Sequence, residues 1–179
     1  MKTLKNMSLF CGMLVFSLFT SQTGYAQKDQ KFTDPEIASI AVTANQIDVD
    51  YALIAQKKSK DKAILDFANT MKNDHLSVID LCTKLAKKLG VTPKTNSMTK
   101  SLLEGAKTTT ATLNKASGKA FNKAYIDNEV AYHEAVINAV ETILIPQAQN
   151  AELKGLLVKV LPTLKTHLEH SKMVQKGLK

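Results

Sequence analysis

The chain is 179 residues long, 44% hydrophobic and 22% charged, with a formal net charge of +8 and two cysteines. That length suits one domain with a sizeable core, while a disulfide framework, a membrane-crossing helix and an outer-membrane barrel of alternating strands find no support in the pattern. The lysines are scattered and lack interleaved aromatics, which reads as a solvated surface; an anionic envelope component stays open as a partner, and nucleic acid is disfavoured.

Lys2 and Lys5 form a positive start, followed by an apolar run from Leu9 to Phe19 that is too short to span a bilayer. Gly24 and Ala26 occupy the small-residue places before a signal-peptidase cut, so residues 1–26 are expected to be a signal peptide cleaved after Ala26. Leu9 and Phe10 before Cys11 are too bulky for a lipobox, and no lipid anchor is expected. The expected localisation is exported, periplasmic or outer-membrane associated. The remaining domain, 27–179, has 22 basic residues against 16 acidic ones once Lys2 and Lys5 are gone, a net of +6. It keeps one cysteine, Cys82, so packing alone must stabilise it.

Four long helices are predicted. The first opens at Thr33-Asp34-Pro35-Glu36, where a capping side chain precedes a first-turn proline, and runs to about Lys58. The second starts near Ser59 with Asp61 in its first turn and ends at Leu89-Gly90 before Pro93. The third runs from near Gly118 to Pro146, and the fourth from the cap Asn150 to about Lys176, with Pro162 placed to bend it. Between Gly90 and Gly118 lies a long polar connection in which Ser101 to Leu113 can form a short amphipathic helix. The expected fold is all-α: a ferritin-like four-helix bundle with one long crossover connection between helices 2 and 3.

Counting apolar positions in steps of three and four exposes an ionisable residue in every seam. The second helix gives Ile64, Ala68, Met71, His75, Val78, Cys82, Leu85 and Leu89; the third gives Ile126, Val130, His133, Ile137, Val140 and Leu144. The fourth gives Leu153, Leu157, Val160, Leu164, His167, Ser171 and Val174, and the first gives Ile37, Ala41, Ala44, Asp48, Tyr51 and Ala55. Such stripes face a bundle interior. A charge there must be paired, hydrogen-bonded or metal-bound. His75, His133, His167 and Asp48 are therefore candidate metal ligands, and Glu129, four before His133, either assists or hydrogen-bonds that ring. A zinc, copper or iron ion would suit the imidazoles.

Each candidate has a plainer reading. A buried histidine is commonly a hydrogen-bonded core residue. Asp48 competes with a second stripe, Ile40, Ala44, Ile47, Tyr51 and Ile54, that leaves it at the margin. His170 reads as a solvated helix-end residue, Asp74 as exposed beside His75, and Cys82 as a small apolar side chain. The axial levels are also offset. Asp48 lies 11 residues before Ser59 and His75 16 after it, while His133 and His167 lie 15 and 19 residues from Ala148. At about 1.5 Å per residue those are gaps of about 7.5 and 6 Å, which the loops must absorb.

Three blocks carry a family resemblance: Asp66-Phe67-Ala68 with Met71 and Asp74-His75; Phe121 with Tyr125 and His133; and Leu161-Pro162 with Leu164, His167 and Leu168. On these the chain, from about Phe32 to Gln175, resembles the exported bacterial ferritin-like family known as domain of unknown function 4142, whose members are often labelled predicted outer-membrane proteins. The resemblance implies a four-helix fold and export, with no established activity. Asn122 stands where that family tends to have aspartate, and Asp48 near where it tends to have glutamate. The Glu-x-x-His pairs of di-iron bundles are missing, because Lys72, Val130 and Leu164 precede the three histidines by three. There is also no G-x-S-x-G elbow, phosphate-binding glycine loop or H-E-x-x-H. A non-enzymatic bundle is expected, binding a transition metal through interior histidines. The alternatives are a metal-free structural or envelope-stress module and a basic surface for anionic polymer.

Overall fold

A computed structural model describes residues 30–178, so the expected signal peptide lies outside the described residues. The chain is all-helical there, with no strand among the described residues. Its helices are α1 (Asp34–Lys58), α2 (Lys62–Leu89), α3 (Ser97–Lys115), α4 (Gly118–Ala139), a π-helical turn (Val140–Leu144), the short α5 (Ile145–Gln147) and α6 (Ala151–Gly177).

Local chemistry fixes the ends. The Glu36 carboxylate accepts from the backbone N–H of Thr33 at 2.9 Å and from its hydroxyl at 2.8 Å, and Pro35 pre-sets the first turn of α1. Asp34 accepts from the N–H groups of Gln149 and Asn150 at 2.8 and 2.9 Å, tying the head of α1 to that of α6. The start expected near Ser59 moves to Lys62. Ser59 is extended and closes α1 by donating its N–H to Ala55, while its hydroxyl bonds Asn122 at 2.8 Å. Asp61 is the cap of α2, accepting from Ala63 and Ile64. Gly90, at φ 64°, takes the left-handed conformation that ends α2.

The connection after α2 is more ordered than Ser101 to Leu113 suggested. Asn96 caps α3 by accepting from Thr99 at 3.0 Å, and Met98, Thr99 and Leu113 are buried. α3 packs on α1. That second contact explains the two competing stripes of α1, because Ile40, Ile47 and Tyr51 are buried together with Ala41, Asp48 and Ala52. A helix apolar on most sides is one covered on most sides.

The helix before Pro146 continues to Gln147, but through a wider turn in which the Ile145 N–H donates five residues back to Val140. Proline cannot donate to the carbonyl four before it and its ring crowds that carbonyl, which a π turn relieves. α6 runs unbroken through Pro162.

α1 packs chiefly on α2 and α4 on α6, with further faces between α2 and α6 and between α1 and α4. Two apolar clusters result. One gathers Ile37, Ile40, Cys82, Ile137, Leu144 and Leu157; the other gathers Tyr51, Ile64, Phe67, Met71, Phe121 and Tyr125. On α2 and α4 a histidine falls between the two, and His167 follows the α6 residues of the first. A polar layer therefore sits between two dry ones.

Candidate metal centre

The five residues singled out from the seams meet in that layer. Asp48, His75, Glu129, His133 and His167 are each at most 4% exposed. One ring nitrogen from each histidine lies within 4.8 Å of the other two. The ring centroids are 5.1 to 5.7 Å apart. Asp48 Oδ2 is 3.3 Å from His75 Nε2 and 3.6 Å from His133 Nε2. Asp48 thus comes from α1, His75 from α2, Glu129 and His133 from α4, and His167 from α6.

The outer nitrogens of the rings are all engaged. His75 Nδ1 donates to Asn45 Oδ1 at 2.7 Å, and the Asn45 amide is held in that sense by its own donation to the Ala41 carbonyl. His133 Nδ1 donates to the Glu129 carbonyl at 2.9 Å, and His167 Nε2 donates to Asp74 Oδ2 at 2.9 Å. Each acceptor fixes a tautomer. What remains is a lone pair on His75 Nε2, His133 Nε2 and His167 Nδ1, and none of these buried atoms has a hydrogen-bond partner. Both oxygens of Asp48 and both of Glu129 are also unpartnered. Those seven atoms, out of nine of their kind among the described residues, fall in this one cluster. Each unsatisfied buried polar group costs about 1–3 kcal/mol, so the cluster is costly to bury.

Burial, reinforced by the neighbouring rings, lowers His75 to about 2, and burial brings His133 down to about 4. His167 is also lowered by burial, though its bond to Asp74 opposes the shift. All three are neutral imidazoles at ordinary pH, the ligating form. Burial raises Asp48 to about 8 and Glu129 well above its usual value, with Asp48 adding to the second shift. A divalent ion would reverse the carboxyl shifts by supplying the missing positive charge. Beside the cluster is a cavity of about 10 Å³ lined by Ala44, Asn45, Asp48, His75, Tyr132 and His133 among others, the size of a single water or ion.

Glu129 stands differently from the other four. Its Oε2 is 3.8 Å from His133 Nδ1, the outward edge of the ring, and makes no hydrogen bond to it. The ring is held by Glu129's backbone carbonyl instead. Asp48 is fully inside rather than marginal, at 1% exposed. His170 is half-buried against Phe67, with ring centroids 5.1 Å apart, outside the histidine cluster. Cys82 is buried in the apolar cluster and its thiol is pushed up to about 11, so it is inert. Two hydrogen-bond partners of the rings escaped the seam count. Asn45, three residues before Asp48 on the same face, carried a spacing signal; Asp74, read as exposed beside His75, has a side chain 45% exposed and also bonds His167 across the α2–α6 contact.

Among the described residues, no helix is long and apolar enough to cross a membrane. No curated protein matches the chain significantly in sequence. Among solved structures, CopM in the Cu(II)-bound form superposes with a TM-score of 0.63 at 12% identity, covering 84% of this chain and 100% of that one. At that identity the likeness concerns the fold. The model of a family described as a domain of unknown function (DUF4142) matches residues 19–174, and the chain belongs to that family.

Proposed function

We propose that the protein is an exported, non-enzymatic four-helix bundle of ferritin-like type that holds one divalent transition cation. His75 Nε2, His133 Nε2, His167 Nδ1 and an Asp48 oxygen would be its ligands. The observation that carries this reading is the pattern of the six ring nitrogens: three outward ones bonded to acceptors, three inward ones converging with no partner. A merely structural histidine cluster would satisfy its inner nitrogens with one another or with donors.

Three imidazoles and a carboxylate favour zinc or copper(II) over a hard oxygen-loving ion. The copper of CopM, the fold neighbour, makes copper(II) the ion to try beside zinc. Asp48 and Glu129 together bring two negative charges when ionised, which neutralise a divalent ion in a site otherwise too dry to hold it. The missing di-iron pattern argues against ferroxidase chemistry.

The test is metal analysis of tag-free protein together with its melting temperature. One equivalent of bound zinc or copper is expected. At a free ion concentration 100 times Kd the folded state gains about 2.7 kcal/mol, which raises Tm by about 5–10 °C for a domain of this size. Sub-stoichiometric metal with an unmoved Tm would sink the proposal.

A further inference from the structure

The histidine centre draws on three ring nitrogens and one Asp48 oxygen, and so uses only part of the polar layer. The other Asp48 oxygen, both oxygens of Glu129 and the Tyr125 hydroxyl are also buried without a hydrogen-bond partner. Glu129 and Tyr125 are each 0% exposed. Tyr125, Glu129 and His133 follow one another in steps of four along α4, so they share a face of that helix. One ligand atom from each of Asp48, Glu129 and His133 lies within 4.8 Å of the other two. Burial, then the charges of Glu129 and Asp48, hold the Tyr125 hydroxyl well above the ordinary tyrosine value, which puts it within electrostatic reach of both carboxylates.

We propose that the layer contains a second, oxygen-rich cation position, bounded by Asp48, Glu129, the Tyr125 hydroxyl and the edge of His133, which takes manganese(II) in place of the ion at the histidine position. It rests on the reading of this layer as a metal centre. Asp48 borders both positions, its Oδ2 lying 3.3 Å from His75 Nε2 and 3.6 Å from His133 Nε2. Charge makes the two exclusive. Among the described residues no acidic side chain other than Asp48 and Glu129 is buried. Those two carboxylates balance one divalent ion, and a second would be buried without a counter-charge.

The donors select the ion. Carboxylate oxygens suit magnesium, calcium and manganese, whereas imidazoles suit zinc and copper. Magnesium keeps several of its waters, and calcium takes about six to eight oxygens. The position supplies five unpartnered oxygens, those of Asp48, Glu129 and Tyr125, in a dry interior. Manganese(II), a transition ion, also accepts the imidazole at its edge.

The test is titration of the chelator-stripped protein with manganese(II), read by electron paramagnetic resonance, with zinc as competitor. The wild type, Glu129→Gln, Tyr125→Phe and His167→Gln are compared, each first shown to be folded by circular dichroism. The wild type should bind one equivalent of manganese, and one equivalent of zinc should expel it. Glu129→Gln should weaken manganese binding on the order of 100-fold but zinc binding only on the order of 10-fold. Tyr125→Phe should weaken manganese about 10-fold and leave zinc within about 3-fold of wild type. His167→Gln should do the reverse, costing zinc on the order of 100-fold and leaving manganese within about 3-fold. A wild-type protein that takes zinc but no manganese overturns the oxygen-rich position and leaves the histidine centre standing. Uptake of manganese without zinc or copper(II) upholds this position and sinks the histidine centre instead. Manganese binding lost in His167→Gln but kept in Glu129→Gln would put the ion among the rings and overturn the proposal, and so would manganese and zinc bound together. A protein that binds none of these ions defeats both readings.

Discussion

Raising the pH of the metal-free protein isolates the buried carboxyls. Asp48 is held at about 8 by burial, against 3.8 for an ordinary aspartate, and Glu129 shifts in the same direction. For Asp48 the native state therefore binds more protons than the unfolded chain between pH 3.8 and about 8, so stability is lost as pH rises through that window. The histidines act oppositely. Their folded values lie below 6.5, so they cost stability as pH falls through the unfolded value of 6.5. Between pH 6.5 and 8 the three together return about 1 kcal/mol as the unfolded imidazoles lose their remaining protons, less than Asp48 and Glu129 together remove, so the carboxyls set the sign of the slope. One extra proton bound is worth about 1.4 kcal/mol per pH unit. Asp48 alone thus removes about 1.5 kcal/mol across that interval, or about 3–6 °C in Tm. The assay is thermal unfolding followed by circular dichroism in the presence of a chelator. Tm should fall steadily over the interval, and saturating zinc should abolish the fall, because the ion keeps the carboxylates ionised in the native state. Asp48→Asn should flatten the chelated profile by its own share. A chelated wild-type protein whose Tm is constant or rises across that range would refute the reasoning.

Other changes probe the site and its frame separately. His133→Gln, which keeps a polar side chain of similar size, should remove the Tm rise on adding zinc or copper(II), as read by thermal scanning. Asn45→Ala frees the His75 tautomer and should weaken affinity by about 10–100-fold in calorimetric titration, without abolishing binding. Glu129→Gln removes one buried negative charge and should weaken divalent binding by on the order of 10-fold or more while stabilising the chelated protein at alkaline pH. Phe67, 0% exposed between Tyr125 and His170, lies outside the ligand set; Phe67→Ala should cost about 3–5 kcal/mol in urea unfolding, with ion stoichiometry unchanged where the protein remains folded.

The four long helices were legible because each carries its own punctuation: Pro35 and Glu36 for the first, Asp61 and Gly90 for the second, Gly118 for the third and Asn150 for the fourth. Features that depend on a neighbour were not. The full length of α3 depends on Met98 and Leu113 docking against α1, and threonine-rich sequence gives no local hint of that. The π turn depends on Pro146 being tolerated inside a packed helix rather than ending it. The two stripes of α1 posed an alternative in sequence that the structure dissolves, since α3 covers the face the bundle leaves open.

The candidate site was legible as a set of residues but not as a place, because their levels were counted with helices treated as smooth rods. Two corrections bring them together. Ser59 caps α1 and α2 starts at Lys62, so the turn centres on Lys60, with Asp48 12 residues before it and His75 15 after. The second turn likewise centres on Gln149, between Gln147 and Ala151, giving 16 residues to His133 and 18 to His167. The remaining gaps are about 4.5 and 3 Å. Side chains close them, since in every α-helix the Cα–Cβ bond leans toward the N-terminus. Asp48 and His133 sit on helices running toward their turns and lean away from them. His75 and His167 sit on helices running away and lean back. In each hairpin the residue farther from the turn reaches toward it and the nearer one retreats, so an offset of two or three residues is what places two such side chains at one height. Equal residue counts would have separated them.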